Sequence, residues 1–142
     1  MDVAEEAKKA EKAGWIKAHF TIEALTAQED KVRPALEKHV AKMKKEKHAI
    51  IANERFREVR KVTQPVPQVP EAYSCIVEMD VLTERFERLL YLVVAFGPTS
   101  VEILAPAELK LKMGEAQTIL NGVADIIHRF AQAGVGGLVI EA

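Results

Sequence analysis

The side chains able to do chemistry are few in this chain: one cysteine, Cys75, four histidines, and a polarised set of charges. Cys75 sits in the run Tyr73-Ser-Cys-Ile-Val. A reactive thiol there would need a histidine or a helix N-terminus beside it to lower its pKa; without one it reads as a buried thiol on a strand, with no partner for a disulfide and hence a reducing setting. His39 and His48 stand nine residues apart, which is not a spacing that shares one helix face. Asp125 and His128 are three apart and read as a pair on a helix surface. No P-loop, GxGxxG after a strand, CxxC, HExxH or GxSxG occurs. The expected class is therefore not an enzyme, with no metal and no cofactor.

Glu102 is the carboxylate of most interest. In Ser100-Val-Glu-Ile-Leu it alternates with Val101 and Ile103, so a strand would turn it to the face opposite those apolar side chains. Its plain structural role is a cross-sheet pair with Arg55 or Arg57. Its functional role is to line a ligand cleft, and Ser100, Glu102 and Arg57 form the candidate ligand-binding set.

Charge gives a second candidate. Residues 31 to 61 hold eleven Lys or Arg and four Glu, a net of +7, while the other 111 residues carry −8. Lys38, Lys42, Lys45, Arg55, Arg57 and Arg60 would be the footprint of an RNA- or DNA-binding protein, the alternative function, since such a patch attracts phosphates and makes binding salt-dependent. Sheet-face RNA readers also stack bases on aromatics, however, and this segment offers only Phe56.

These residues must be positioned by elements that periodicity makes visible. Residues 3 to 13 alternate Ala, Glu and Lys with almost no apolar stripe, which predicts a frayed helix or an extension ordered only by a neighbour. From Trp15 the period becomes two: Ile16, Ala18, Phe20, Ile22 and Ala24 share one side, and Lys17, His19, Thr21 and Glu23 the other. His19 on the polar side reads as a solvated or cross-strand-paired histidine. Val32, Leu36, Val40 and Met43 then form the stripe of a helix resting on a sheet, started near Lys31 because Pro34 is tolerated in a first turn. Residues 49 to 62 read as a strand with a bulge at Asn53. The prolines of residues 63 to 70 predict a surface loop. Tyr73, Cys75, Val77 and Met79 alternate with Ser74, Ile76, Glu78 and Asp80 on the next strand. Phe86, Leu89, Leu90, Val93 and Val94 mark a helix capped at Thr83 and stopped by Gly97-Pro98. Ser100 to Leu104 is a strand. Gly114 opens a last helix with the face Ala116, Ile119, Leu120, Val123, Ile126, Ile127 and Phe130, closed by Gly134.

The order strand, helix, strand, strand, helix, strand gives an α+β fold: a ferredoxin-like βαββαβ split sheet with an additional C-terminal helix. Its boundaries are a helical extension over 1–14, the domain over 15–134 and a tail strand over 135–142. At 142 residues and 49% hydrophobic content the chain can bury an ordinary core. Nothing resembles a targeting signal and no run approaches the ~18 apolar residues of a membrane span, so a cytoplasmic, membrane-free protein is expected. Both crossover helices fall on one sheet face. The last helix or a second copy must then cover the other, where Ile76, Trp15 and Leu25 put apolar area, and a homo-oligomer, most simply a dimer, is expected.

The run Leu90 to Pro106 followed by Glu108-Leu109, an apolar helix, FGP, VEIL and P-x-E-L, resembles the C-terminal extension domain of WYL-type transcription regulators. That likeness covers about the last third of the chain and implies a regulatory module. Over Tyr73 to Ala131, with YS-x-IVE, FGPTSVEIL and HRFA, the chain is also similar to a group of small uncharacterised archaeal proteins.

Overall fold

The alternation that begins at Trp15 becomes a strand with Ile16, Ala18, Phe20 and Ile22 buried and Lys17, His19, Thr21 and Glu23 half-buried. The computed structural model describes residues 2–133, apart from the side chain of Val66. In chain order the elements are α1 (Val3–Lys12), β1 (Ile16–Thr26), α2 (Glu29–Lys44), β2 (Ala49–Phe56), β3 (Arg60–Val66), β4 (Val69–Thr83), α3 (Phe86–Phe96), β5 (Ser100–Ala105) and α4 (Met113–Gln132).

The sheet order is β2-β4-β1-β5, with β3 also pairing β4, and every pairing is antiparallel. α2 joins β1 to β2 with β4 lying between them, and α3 joins β4 to β5 with β1 between them. This interleaving is the split βαβ arrangement, so the α+β, βαββαβ expectation holds with a helix added at each end. Val32, Leu36, Val40 and Met43 of α2 and Leu89 and Leu92 of α3 bury themselves against Phe20, Val77, Met79 and Val81 on one sheet face. Full burial of each such side chain contributes roughly 1.5–3 kcal/mol. α3 ends where expected: Gly97 takes a left-handed φ of 59°, its N–H bonds to the carbonyl of Val93, and Pro98 follows.

Several boundaries differ from the sequence reading. α1 is neither frayed nor undocked. Ala7 and Ala10 are buried with Ala52 and Leu82, beside Trp15 and Ile50, on the sheet face opposite α2 and α3. A stripe of alanine escapes a search for large apolar residues, yet it lets a helix approach a sheet closely, and α1 thus covers part of the face assigned to the last helix or a second copy. α2 starts at Glu29, which puts Pro34 beyond the first turn and removes one backbone bond there. Thr83 is the last residue of β4, not the cap of α3; that cap is Arg85, and the Thr83 hydroxyl donates to its carbonyl at 3.1 Å.

The strand expected over 49 to 62 is broken into β2 and β3. The bulge at Asn53 is present, with φ 57° and a register shift between Ala52 and Arg55. The expected loop over 63 to 70 is instead the end of a hairpin, because β3 pairs with β4. Pro65 falls within the register shift between Thr63 and Val66, and Pro67 sits in the turn, so neither removes a ladder bond the sheet requires.

The chain divides into two compact units, Met1–Glu108 and Leu109–Ala142. The described part of the second is essentially α4, capped by Lys112 and without a buried residue. Gly134 and the tail strand expected over 135–142 lie outside the described residues. No helix among the described residues is long and apolar enough to cross a membrane.

Candidate ligand-binding face

Pairing β1 with β4 and β5 assembles the second sheet face row by row. Lys17 lies opposite Leu82, and Leu82 opposite Ile50, in the row that α1 covers. Next come Glu102, His19, Asp80 and Ala52, then Ser100, Thr21, Glu78 and Arg55. Beyond them Glu23 pairs with Ile76, and Ser74 pairs with Leu25 on one side and Arg60 on the other. Past α1 this face is mostly polar, with Ile76 and Leu25 at its far end, and most of its β1 and β4 side chains are half-buried.

Two carboxylates organise it. Glu78 Oε2 accepts from Arg57 Nη2 at 2.9 Å and Nε at 3.2 Å, and from Arg55 Nη2 at 3.4 Å, while Oε1 lies 3.4 Å from His19 Nε2. The Arg57 guanidinium, followed by His19, holds the Glu78 carboxyl down at about 2. Asp80 Oδ1 stands 3.3 Å from His19 Nδ1, and Oδ2 accepts from Asn53 Nδ2 at 2.9 Å. Both ring nitrogens of His19 thus face carboxylate oxygens, and only the doubly protonated ring can donate to both. The buried Ser74 hydroxyl donates to the Glu23 carboxylate. Arg57, Glu58, Arg60, Ser74 and Ile76 line a depression of about 70 Å³. Small-molecule cavities usually hold roughly 300 Å³ or more, so a ligand here would lie across the face, not inside it.

Ser100, Glu102 and Arg57 all reach this face, but not one another. Among the described residues β5 is an edge strand beside β1, and Glu102 neighbours His19 rather than Arg55 or Arg57, which are engaged by Glu78. Sequence reasoning placed Glu78 and Asp80 on the polar side of their strand without giving them a role. Their alternation with apolar residues was visible, but the pairing that brings them to His19 spans 59 and 61 residues.

The six basic residues are divided between the two sides of the sheet. Lys38 and Lys42 of α2 and Lys45, its C-terminal cap, are exposed at spacings of four and three and make no ion pair among the described residues. Arg55, Arg57 and Arg60 belong to the opposite face, and Glu78 already neutralises part of that charge.

Other candidates are structural. Cys75 is buried, its thiol is pushed up by desolvation, and Sγ donates to the Arg57 carbonyl at 3.4 Å. His39 Nε2 lies 2.8 Å from the Phe96 carbonyl oxygen, and its ring meets the Phe96 ring edge-on at 5.4 Å, which ties α2 to the end of α3. Asp125 does not pair with His128 as expected; its partner is Arg129, one helical turn on, at 2.9 Å. No group of three metal-ligating side chains occurs among the described residues.

Residues 17–140 match the family model described as the MJ0538 family. No curated protein and no solved structure matches the chain.

Proposed function

The chain belongs to the MJ0538 family, and we propose that it serves as a non-enzymatic, cytoplasmic small-ligand-binding or regulatory module acting as a homo-oligomer, with the polar sheet face as its binding surface. The observation that carries this reading is the fixed charge pattern of that face. Guanidiniums of Arg55 and Arg57 stand at the β2 side, held by Glu78, while Glu102 and Ser100 stand on β5. Three strand spacings separate the two sides, about 14 Å. A ligand with an anionic and a cationic end, such as a short peptide, complements that polarity. The buried Cys75 supports the non-enzymatic part, since its raised pKa keeps it protonated. The regulatory part leans on the resemblance of residues 90 to 109 to a regulator domain.

Titration of the full chain with dipeptides and tripeptides, with dicarboxylates and diamines as single-sign controls, tests this by amide NMR. Shifts should cluster at His19, Glu78, Ser100, Glu102 and Arg57. Shifts confined to α2, or none at millimolar peptide, would overturn the reading.

The exposed Lys38, Lys42 and Lys45 favour a second reading, RNA or DNA binding. Filter binding at several salt concentrations separates its forms. Contacts by Lys38, Lys42 and Lys45 alone give a log–log slope of about −3 on duplex DNA, and all six basic residues about −5. Weak retention without a salt slope removes nucleic acid altogether.

A further inference from the structure

α4 presents an apolar seam that the described residues of its own unit leave without a partner. Ala116, Ile119, Val123, Ile126 and Phe130 follow one another at spacings of three, four, three and four. That is the period of helix packed against helix in a shallow crossing, with Leu120 and Ile127 widening one side. No residue of α4 is buried among the described residues: Ala116, Ile119, Val123 and Ile126 are half-buried, and Leu120, Ile127 and Phe130 are 67%, 45% and 48% exposed. A helix of 20 residues depends on packing for most of its stability.

The other edge of the seam says what the partner is. Glu115, Gly122 and Arg129 recur every seven residues along it. A glycine in mid-helix is less favourable than alanine by about 1 kcal/mol, and nothing lies within 4 Å of where a Gly122 Cβ would stand. It therefore leaves room for another backbone to approach. Gly122 is also midway between an acid and a base. An identical helix laid antiparallel and crossing at Gly122 would bring Glu115 beside Arg129 of the partner subunit, and the reciprocal pair would form at the other end. A parallel helix would set Glu115 against Leu120 of the partner subunit and form no such ion pair.

We infer that α4 is the dimer contact: two copies of this chain pack their α4 helices antiparallel along the Ala116–Phe130 seam, crossing at Gly122. The proposal rests on the homo-oligomeric part of the reading above and deepens it. Such a contact is two-fold and self-complementary, as closed dimers require. It places two polar sheet faces in one particle.

Light scattering and cross-linking of the full chain test the inference. Wild type should show twice the 15.8 kDa chain mass at micromolar concentration, and the double variant Ile119→Glu, Ile126→Glu should show a single chain mass. Unchanged Trp15 emission in that variant would confirm that the first unit remains folded. For orientation, Glu115→Cys and Arg129→Cys chains are mixed and treated with a short bis-maleimide. Mixed Glu115→Cys/Arg129→Cys dimers are expected, with Glu115→Cys homodimers absent. A monomeric wild type would overturn both the homo-oligomer and this contact. A dimer that survives the double variant, or cross-links between two Glu115→Cys chains, would overturn the antiparallel α4 contact while leaving the oligomer standing.

Discussion

Arg57 donates to Glu78 Oε2 through both Nη2 and Nε, at 2.9 and 3.2 Å, although Arg57 lies in the break between β2 and β3. The break serves this contact. The Arg57 backbone N–H bonds to the Ile76 carbonyl at 2.8 Å, which places the side chain at the margin of β4 where two of its N–H groups meet one carboxylate oxygen.

The pH dependence follows from the sign of the Glu78 shift. Its folded pKa of about 2 lies below the ordinary 4.5, so the group favours the folded state above pH 4.5 and loses that contribution as pH falls toward 2. Urea midpoints at pH 5 and pH 3 should drop more steeply for wild type than for Glu78→Gln. Equal drops would show that Glu78 has no part in acid sensitivity.

Trp15 is the sole tryptophan and packs beside Ala7 and Ala10, so its emission reports on the docking of α1. Ala10→Glu should shift that emission to the red and destabilise the first unit by on the order of 1–3 kcal/mol, because a polar side chain is forced under the helix. An unshifted spectrum would place α1 elsewhere in solution.

Leu92 is fully buried between α3 and the sheet. Leu92→Ala should cost about 2–5 kcal/mol in chemical denaturation, the usual range for a truncated core leucine. A cost below ~1 kcal/mol would show that α3 is loosely seated.

Gly97 has open space around it but a positive φ, so any penalty on substitution comes from the backbone alone. Gly97→Ala should destabilise by about 1 kcal/mol, and Gly97→Asn by less, since asparagine tolerates the left-handed region. Equal costs for the two variants would contradict the backbone origin.

What the sequence determined by itself was local and periodic. The two-residue alternation of residues 16 to 24 and the stripes of α2 and α3 each followed from side chains within a dozen residues. So did the Gly97-Pro98 stop and the bulge at Asn53. The order of these elements was enough to arrive at a split βαβ sheet. Tertiary structure decided everything that depended on which strands lie side by side. Alternation turns His19, Glu78 and Asp80 toward one face, but only the β1–β4 register puts them in contact, and only the β2–β3 break carries Arg57 to Glu78. It also sent Arg55 and Arg57 to the side of the sheet away from Lys38, Lys42 and Lys45, dividing a patch that was continuous in sequence. Alanine spacing in α1 carried too little hydrophobicity to reveal a docking face, because the energy of that contact comes from the close approach of the sheet, and a sequence read without its partners does not contain that approach.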